Sequence, residues 1–275
     1  MQRNWLITGT SSGLGRILTE KLLARGDRVA ATVRNPDALA ALQAQYGEQL
    51  WVGTLDVANT SAVYDVVEQA FAALGRIDVV VSNAGYGLFG AAEEVSQEQI
   101  RRQIDTNLLG SIHLIRAALP HLREQGGGRV LQVASEGGQI AYPNFSIYHA
   151  TKWGIEGFVE SVAQEVAPFG IDFTLVEPGP TRTNFGAGMD GAEPLPAYVA
   201  TPSGAIRQAL ASGAFELKGD PDRMTDAMLD CADAAAPPRR LTLGAGAYVS
   251  IRSALQSRLT ALEAQRDIAC SADFA

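Results

Sequence analysis

The hydrophobic residues of this chain fall into short, nearly continuous runs separated by longer stretches with helical spacing. Apolar runs of four to eight residues are typical of strands in a parallel sheet that helices cover on both faces. The runs that predict such strands span residues 4–8, 28–33, 50–56, 77–81, 130–134, 171–177 and 241–243. This pattern predicts an α/β fold: a single domain over residues 1–275 with a Rossmann-type, doubly wound parallel sheet of about seven strands.

The segment between the last two predicted strands has a different composition. Eight of the twelve prolines lie between residues 178 and 238, so no continuous sheet layer is expected there. We expect residues 182–238 to form a mobile flap over a substrate, and its apolar candidates for contact are Phe185, Met189, Leu195 and Tyr198. A helix predicted at residues 246–268 has one apolar side, which would cover the core or a partner chain.

Composition and charge narrow the range of functions. The 275 residues carry a net charge of −8, which argues against nucleic acid and anionic membranes as partners because both require basic patches. The two cysteines, Cys231 and Cys270, have neither pairing nor metal-ligand spacing, which fits a reducing compartment. The apolar runs are too short for a membrane span or a signal peptide. We therefore expect a cytoplasmic protein with no bound metal.

A glycine-rich turn follows the first predicted strand and reads Thr8-Gly9-Thr10-Ser11-Ser12-Gly13-Leu14-Gly15. Its glycines permit a tight turn and let backbone amides approach a pyrophosphate, which the positive N-terminus of the following helix attracts. The residues to which we assign dinucleotide binding here are Gly9, Ser11, Ser12, Gly13, Leu14 and Gly15.

The same turn permits a second interpretation. Residues 9–13 also fit G-x-S-x-G, the nucleophile elbow of α/β-hydrolases. Such an elbow needs an earlier strand to complete an oxyanion hole and a histidine later in the chain. Here the strand is the first one and no histidine follows His149, so the dinucleotide interpretation is favoured.

The residue after the second predicted strand sets the expected cofactor preference. NAD sites place a carboxylate about 20 positions after the glycines, where it binds the ribose 2′-hydroxyl. This chain has Arg34 at that place. A guanidinium binds a 2′-phosphate, which a carboxylate would repel. The sequence therefore predicts NADP(H) as the preferred cofactor, with NAD(H) possible.

Further candidate residues follow the later strands. Asp56 and Val57 end the third predicted strand, where an adenine amino group could be bonded. The small residues Asn83, Ala84 and Gly85 follow the fourth strand and let cofactor and backbone approach each other. Ser135 follows the fifth strand, so its hydroxyl would lie at the sheet edge where ligands of open α/β folds bind.

Tyr148 and Lys152 lie four residues apart on a predicted helix over residues 147–167. Residues at this spacing share one helical face. A neighbouring cation favours the phenolate and lowers a tyrosine pKa from about 10. We predict that Tyr148 is a general acid/base, that Lys152 lowers its pKa, and that Ser135 holds a carbonyl or alcohol oxygen.

Taken together, these residues resemble the classical short-chain dehydrogenase/reductase family over nearly the whole chain, and the pattern is most similar to its hydroxysteroid- and retinol-dehydrogenase-like branch. Ser135 and Tyr148 have the family's spacing of 13 residues. The match runs through the glycine-rich turn, Asp56, Asn83-Ala84-Gly85, Asn107, Ser135, Tyr148, Lys152 and Pro178-Gly179. Two positions depart from the family pattern, Ser82 in place of a common asparagine and Glu136 in place of a second serine.

The resemblance implies an NADP(H)-dependent oxidoreductase that transfers hydride between nicotinamide and a carbonyl or secondary alcohol of a lipophilic small molecule. It implies a catalytic tetrad of Asn107, Ser135, Tyr148 and Lys152, in which Asn107 holds a water that relays protons to Lys152. It places Pro178, Gly179 and Thr181 at the cofactor, with Thr181 at the nicotinamide carboxamide. It also implies a homodimer or homotetramer, formed through helices near residues 99–122 and 147–167.

A non-catalytic NADP(H)-sensing regulator on the same fold is the alternative. The presence of all four tetrad positions argues against it, because a sensor does not need an activated phenol.

Overall fold

The computed structural model describes residues 2–213 and 216–274. Within these residues the strands are β1 (Asn4–Thr8), β2 (Arg28–Val33), β3 (Leu50–Thr54), β4 (Val79–Ser82), β5 (Leu88–Phe89), β6 (Gly128–Val133), β7 (Ile171–Pro178), β8 (Asp190–Gly191) and β9 (Arg240–Leu243). Seven of them form one parallel sheet in the order β3-β2-β1-β4-β6-β7-β9. The predicted doubly wound sheet is therefore confirmed. The short strands β5 and β8, which the apolar pattern did not predict, pair with each other.

Helices cover both faces of this sheet. In chain order they are α1 (Gly13–Ala24), α2 (Ala40–Tyr46), α3 (Thr60–Leu74), α4 (Gln97–Ile104), α5 (Gly110–Glu124), α6 (Ser146–Val166), α7 (Pro202–Ala211), α8 (Pro221–Asp233), α9 (Ala245–Glu263) and α10 (Arg266–Ser271). Apolar side chains of α3, α5 and α6 form one core cluster, and those of α1, α2 and α8 form the other. Successive strand residues alternate between the clusters, as Trp5, Leu6 and Ile7 do in β1.

The predicted flap of residues 182–238 includes a helix that packs into the core. Residues 221–233 form α8, whose Met224 and Met228 are buried against the sheet. Pro221 lies in the first turn of α8, where its missing N–H costs no intrahelical hydrogen bond. Although proline often interrupts regular structure, Pro221 begins a helix that Asp220 caps. The predicted C-terminal helix also differs, since α9 ends at Glu263 and α10 follows.

The chain reverses its winding direction between β1 and β4. It passes from β1 to β2 and β3, then crosses back to β4 on the other side of β1. In open α/β sheets, ligands bind in the crevice at the carboxyl ends of the strands where the order reverses. Asn83, which follows β4, bridges this crevice because its Nδ2 donates to the carbonyl oxygens of Thr8 at 2.9 Å and Gly9 at 3.0 Å.

We expect the Asn83→Ala substitution to lower the free energy of unfolding by about 2–4 kcal/mol, because it leaves two carbonyl groups without their donor. Urea unfolding checks this value. Asn35→Ala is the matched control, since the exposed Asn35 side chain accepts the Asp37 amide in a short turn, and its loss should cost about 1 kcal/mol or less. Equal losses in the two variants would contradict a special role for Asn83.

Candidate active site

The glycine-rich turn is in direct contact with the segment that follows β4. Gly9 and Gly13 have positive φ values of 71° and 59°, which side-chain-bearing residues rarely adopt. A Cβ atom on Gly9 would lie 2.8 Å from the Cα atom of Ala84, and one on Gly15 would overlap the Asn83 amide. Only glycine fits at positions 9 and 15, because the segment after β4 packs directly against the backbone of the turn.

The helix that follows this turn offers its first amides to an anion. Helix α1 begins at Gly13, directly after Ser12. In the described part of the chain, the Ser12 side chain makes no capping hydrogen bond. The N–H groups of a helix's first turn have no partner within the helix, and they attract phosphate. Together with the glycines, this arrangement fits the pyrophosphate of a dinucleotide.

Residues predicted to bind the adenosine half lie at the same sheet edge. The amides of Gly9 and Thr10 donate to the Thr32 carbonyl at 3.1 and 3.2 Å, so the turn lies against the end of β2. Arg34 follows two residues later and is exposed, and among the described residues no side chain forms an ion pair or hydrogen bond with its guanidinium. Asp56 is exposed after β3, where its Oδ1 accepts the Ala58 amide at 3.0 Å.

Three of the four predicted catalytic residues meet at the carboxyl end of β6. Lys152, on α6, donates from Nζ to the carbonyl oxygen of Val133 at 3.0 Å. The Ser135 Oγ accepts the Gly137 amide at 3.1 Å, and the Ser135 side chain is near enough to the Tyr148 phenol to lower its pKa. Ser135, Tyr148 and Lys152 are all buried, each with 7% of its surface exposed. The structure therefore brings a phenol, a hydroxyl and an ammonium into one small volume.

The fourth residue, Asn107, lies in a single π-helical turn over Asp105–Leu109, between α4 and α5. Its Oδ1 accepts the Tyr86 amide at 3.1 Å, and its Nδ2 donates to the Tyr86 carbonyl at 2.8 Å. The side chain is thus bound to the backbone directly after Asn83-Ala84-Gly85. Isolated π turns are frequent at functional sites, and the predicted role of Asn107 in holding a water remains a prediction.

The direction of the Tyr148 pKa shift differs from the sequence-based expectation. Burial raises the pKa of Tyr148 to about 12; the nearby Ser135 hydroxyl lowers it, and the charge of Glu136 raises it. Lys152 is not among the groups that shift this pKa, and its Nζ lies 5.7 Å from the centroid of the tyrosine ring. Burial in turn lowers the pKa of Lys152 to about 8. At neutral pH, Tyr148 therefore keeps its proton and Lys152 remains mostly charged.

Two neighbours of the tetrad shape its surroundings. Glu136 is buried, and this burial raises its pKa. His149 fixes the loop that carries Ser135, since its Nδ1 lies 2.8 Å from the Gly137 carbonyl oxygen and its Nε2 accepts the Tyr142 amide at 3.2 Å. His149 is thus a structural residue, although it is adjacent to Tyr148.

Aromatic rings surround the Tyr148 phenol, and sequence reasoning missed most of them. Phe145 and Phe185 lie 6.1 and 6.0 Å from Tyr148 between ring centroids. Phe89 and Tyr142 contact Phe145 at 5.2 and 5.3 Å. Of these four, only Phe185 was predicted as a contact. The available signal was the run of aromatic residues between Ser135 and Tyr148, at positions 142 and 145.

The segment after β7 completes the same edge of the sheet. The Gly179 amide donates to the Leu243 carbonyl at 2.9 Å, which ties the end of β7 to β9. The Thr181 hydroxyl donates to the Gly179 carbonyl at 2.7 Å. Pro178, Gly179 and Thr181 are all partly exposed. The predicted nicotinamide-contacting residues therefore lie on strand ends that adjoin β6.

Within residues 2–213 and 216–274, no group of three or more His, Cys, Asp or Glu side chains is arranged to hold a metal ion. No helix in this part of the chain has the length and apolar character needed to cross a membrane.

Comparison with known proteins places this geometry in a family. The family model described as short chain dehydrogenase matches residues 3–193. The chain belongs to the short-chain dehydrogenase family. It is 37% identical to oxidoreductase BOA17 of Botryotinia fuckeliana over 89% of each chain. It is 36% identical to human 17-beta-hydroxysteroid dehydrogenase type 1, over 66% of this chain and 57% of the human protein.

Solved structures agree with this assignment. A short-chain dehydrogenase from Streptomyces avermitilis superposes with a TM-score of 0.92 and 38% identity over 100% of both chains. An alcohol dehydrogenase from Thermococcus sibiricus, solved with 5-hydroxy-NADP, superposes with a TM-score of 0.72 and 26% identity over 88% of this chain and 96% of the other. This short-chain dehydrogenase is therefore an oxidoreductase, as its sequence predicts.

We expect the Lys152→Met substitution to stabilise the fold at pH 7 by about 2 kcal/mol. The pKa of Lys152 falls from 10.5 to about 8 on folding, so the unfolded chain binds the proton more tightly than the folded protein. The free-energy cost of burying the ammonium is therefore fully present below pH 8. Each unit is worth about 1.4 kcal/mol, from which the lost hydrogen bond to Val133 subtracts about 1 kcal/mol. Urea unfolding at several pH values measures the difference.

The stability advantage of Lys152→Met should begin to shrink near pH 8, where Lys152 of the folded wild type loses its proton. It should be lost by about pH 10.5, where the unfolded chain also loses that proton. Lys218→Met is the control, because the Lys218 side chain is 80% exposed and its removal should change stability by about 0.5 kcal/mol at most. A Lys152→Met variant less stable than wild type at pH 7 would contradict a costly burial.

Proposed function

We propose that the protein is an NADP(H)-dependent carbonyl reductase and alcohol dehydrogenase in which Tyr148 is the general acid/base. The observation that carries this proposal is the joint burial of Ser135, Tyr148 and Lys152 at the end of β6, with the Lys152 Nζ 5.7 Å from the centroid of the tyrosine ring. This group lies at the same sheet edge as the glycine-rich turn. A bound nicotinamide dinucleotide would supply or accept the hydride.

The charges of the site suit proton donation to a reduced carbonyl. Tyr148 is protonated at neutral pH because burial raises its pKa to about 12. As a carbonyl oxygen gains negative charge, the hydroxyls of Ser135 and Tyr148 donate hydrogen bonds to it, and Tyr148 then transfers its proton. The Lys152 ammonium, bound to the Val133 carbonyl, would also hold the ribose of the cofactor. In the oxidation direction, the phenolate of Tyr148 removes the alcohol proton.

Arg34 supports the preference for NADP(H). Its guanidinium follows β2, where the ribose of the adenosine half is bound in folds of this kind. It is exposed, and within the described residues no carboxylate pairs with it, so it is free to bind a 2′-phosphate. The Thermococcus relative, solved with 5-hydroxy-NADP, agrees with this preference. NAD(H) remains possible because the other cofactor contacts do not involve the 2′ position.

The rings around Tyr148 support a lipophilic substrate. Phe145, Tyr142 and Phe185 offer apolar and aromatic surface beside the phenol. Phe185 belongs to the flap, which we now propose spans residues 182–213 because α8 lies in the core. The pairing of β8 with β5 anchors this flap next to the segment that follows β4. Two exposed residues along the predicted oligomer surface, Leu109 and Trp153, support a homodimer or homotetramer formed through α5 and α6.

We expect the Tyr148→Phe substitution to lower kcat for ketone reduction by about 10²- to 10⁴-fold, because it removes only the proton donor. Steady-state assays of NADPH oxidation with a panel of lipophilic ketones measure the loss in kcat. NADPH binding, followed by nucleotide fluorescence, should stay within about twofold of wild type. Full turnover by this variant would remove Tyr148 from the mechanism.

We expect the Arg34→Ala substitution to weaken NADPH binding by about 10- to 100-fold, because charge-assisted hydrogen bonds contribute about 1.5–3 kcal/mol. NADH binding should not change. Titration of both nucleotides against the purified variant gives the two Kd values. Arg252→Ala, at an exposed position of α9, is the control for loss of one positive charge, and unchanged NADPH affinity in Arg34→Ala would assign the preference elsewhere.

A further inference from the structure

Helix α7, near the end of the flap, is held in place mainly by polar contacts. Its buried residues are Ser203 and Gly204, and within the described residues none of its apolar side chains belongs to a core cluster. Helix α8, by contrast, buries Met224 and Met228 against the sheet. Most helices in proteins are stabilised by the packing of an apolar face. Because α7 lacks such packing, its hydrogen bonds and ion pairs determine where this part of the flap lies.

The centre of these contacts is Glu94, which lies between β5 and α4, outside the flap. Its side chain is completely buried. Its Oε1 accepts a hydrogen bond from the Leu195 amide at 2.9 Å, and its Oε2 accepts from the Arg207 Nη2 at 2.6 Å and from the Ala91 amide at 2.7 Å. Hydrogen bonds to a charged group are about twice as strong as neutral ones. Leu195 and Arg207 both belong to the flap, so one carboxylate binds the flap at two points. We call these two contacts the flap latch.

A further contact binds α7 to the loop before α6. The Asn144 side chain is buried there, and its Nδ2 donates to the Ser203 carbonyl at 2.8 Å. The Asn144 carbonyl in turn accepts the Gly90 amide at 2.8 Å. Asn144 has a φ of 70°, a left-handed conformation that asparagine adopts more readily than most residues. Helix α7 is therefore bound both to the segment after β5 and to the loop that carries Phe145.

The flap latch brings α7 against two of the rings near the phenol. The Arg207 guanidinium lies over Phe89, with 5.2 Å between its Cζ and the ring centroid. Phe89 contacts Phe145, which contacts Tyr148, and we call Phe89 and Phe145 the aromatic wall. Arg207 therefore packs on this wall while its charge is paired with Glu94. If α7 moved away, the wall would lose this packing and the cation–π contact.

We propose that Glu94 is a positioning residue: by holding α7 against the aromatic wall, it determines how tightly the protein binds ketones with a large apolar body. The proposal rests on the proposed function in one respect, namely that a ketone binds beside Tyr148. A large apolar body extends from the carbonyl along the wall, so its burial depends on the latch. A small ketone reaches only the hydroxyls of Ser135 and Tyr148, so its binding does not depend on the latch.

The first test compares butanone and acetylnaphthalene, two methyl ketones that differ in the size of the apolar body, as substrates of Glu94→Gln. Glutamine has one acceptor oxygen in place of two, so its amide nitrogen faces a donor whichever way the side chain is turned. We expect the KM for acetylnaphthalene to rise about 10-fold, because the latched flap is less populated. The kcat, the KM for butanone and the Kd for NADPH should stay within about twofold of wild type.

Arg207→Met provides a second variant, which keeps an apolar side chain over Phe89 but removes the ion pair. Its KM for acetylnaphthalene should rise as in Glu94→Gln, and Arg207→Lys, which can still pair with Glu94, should recover most of the loss. Glu98→Gln is the matched control for the loss of one carboxylate, because Glu98 is exposed in the first turn of α4. An equal rise in KM for both ketones, or no rise for acetylnaphthalene, would overturn the proposal.

The second test needs no turnover. Limited proteolysis by chymotrypsin without substrate, followed by mass spectrometry, measures how often the flap opens. We expect Glu94→Gln and Arg207→Met to be cleaved after Tyr198 about 10-fold faster than wild type. Cleavage after Tyr248, an exposed residue of α9, should not change.

The two tests separate the latch from the proposed function. Flap cleavage no faster than in wild type, or equally faster cleavage after Tyr248, would overturn the proposal. Faster cleavage confined to the flap, in a protein that reduces no ketone, would support the latch and would instead contradict the proposed function.

Discussion

The hydrogen bond from the Lys152 ammonium to the Val133 carbonyl determines the geometry of the candidate site. Val133 is the last residue of β6, and Ser135 follows two positions later. The bond therefore fixes α6 against the strand end and, one turn earlier on α6, places Tyr148 beside Ser135. Burying an ammonium is costly, and this cost appears as the lowered pKa of Lys152. Functional sites commonly hold groups whose burial reduces the stability of the fold.

The cofactor half of the site is built on a different principle, close backbone contact. Gly9 and Gly15 approach the segment after β4 more closely than any side chain allows, and the Asn83 amide holds the two strand ends together. Because all seven strands are parallel, their carboxyl ends lie at one edge. The glycine-rich turn after β1 and the Ser135–Tyr148–Lys152 group near β6 therefore open onto the same crevice, with β4 between them.

Much of this arrangement could be predicted from the sequence because it depends on local patterns. The continuous apolar runs gave the strands, and small or polar residues after each run indicated the edge at which ligands bind. The failures have physical causes. Proline can end a helix or begin one, so the residue type alone does not predict that Pro221 begins α8. The packing of Met224 and Met228 against the sheet decides between the two.

The electrostatics of Tyr148 could not be predicted from spacing alone. An i, i+4 lysine was expected to lower the phenol pKa, but the ammonium extends toward the strand carbonyl and lies over the ring. The direction of a pKa shift depends on which atoms approach the titrating oxygen and on burial, and neither quantity is encoded in residue spacing. The sequence also does not predict that the Asn107 side chain forms hydrogen bonds with both the amide and the carbonyl group of Tyr86.

The raised pKa of Tyr148, to which the Glu136 charge contributes, determines the protonation state of the phenol. Burial and the Glu136 charge both stabilise the neutral phenol, while only the Ser135 hydroxyl favours the phenolate. A phenol held in its neutral form is ready to donate a proton to a developing alkoxide, whereas alcohol oxidation first requires that proton to leave. At neutral pH the phenol therefore carries the proton that the proposed carbonyl reduction requires.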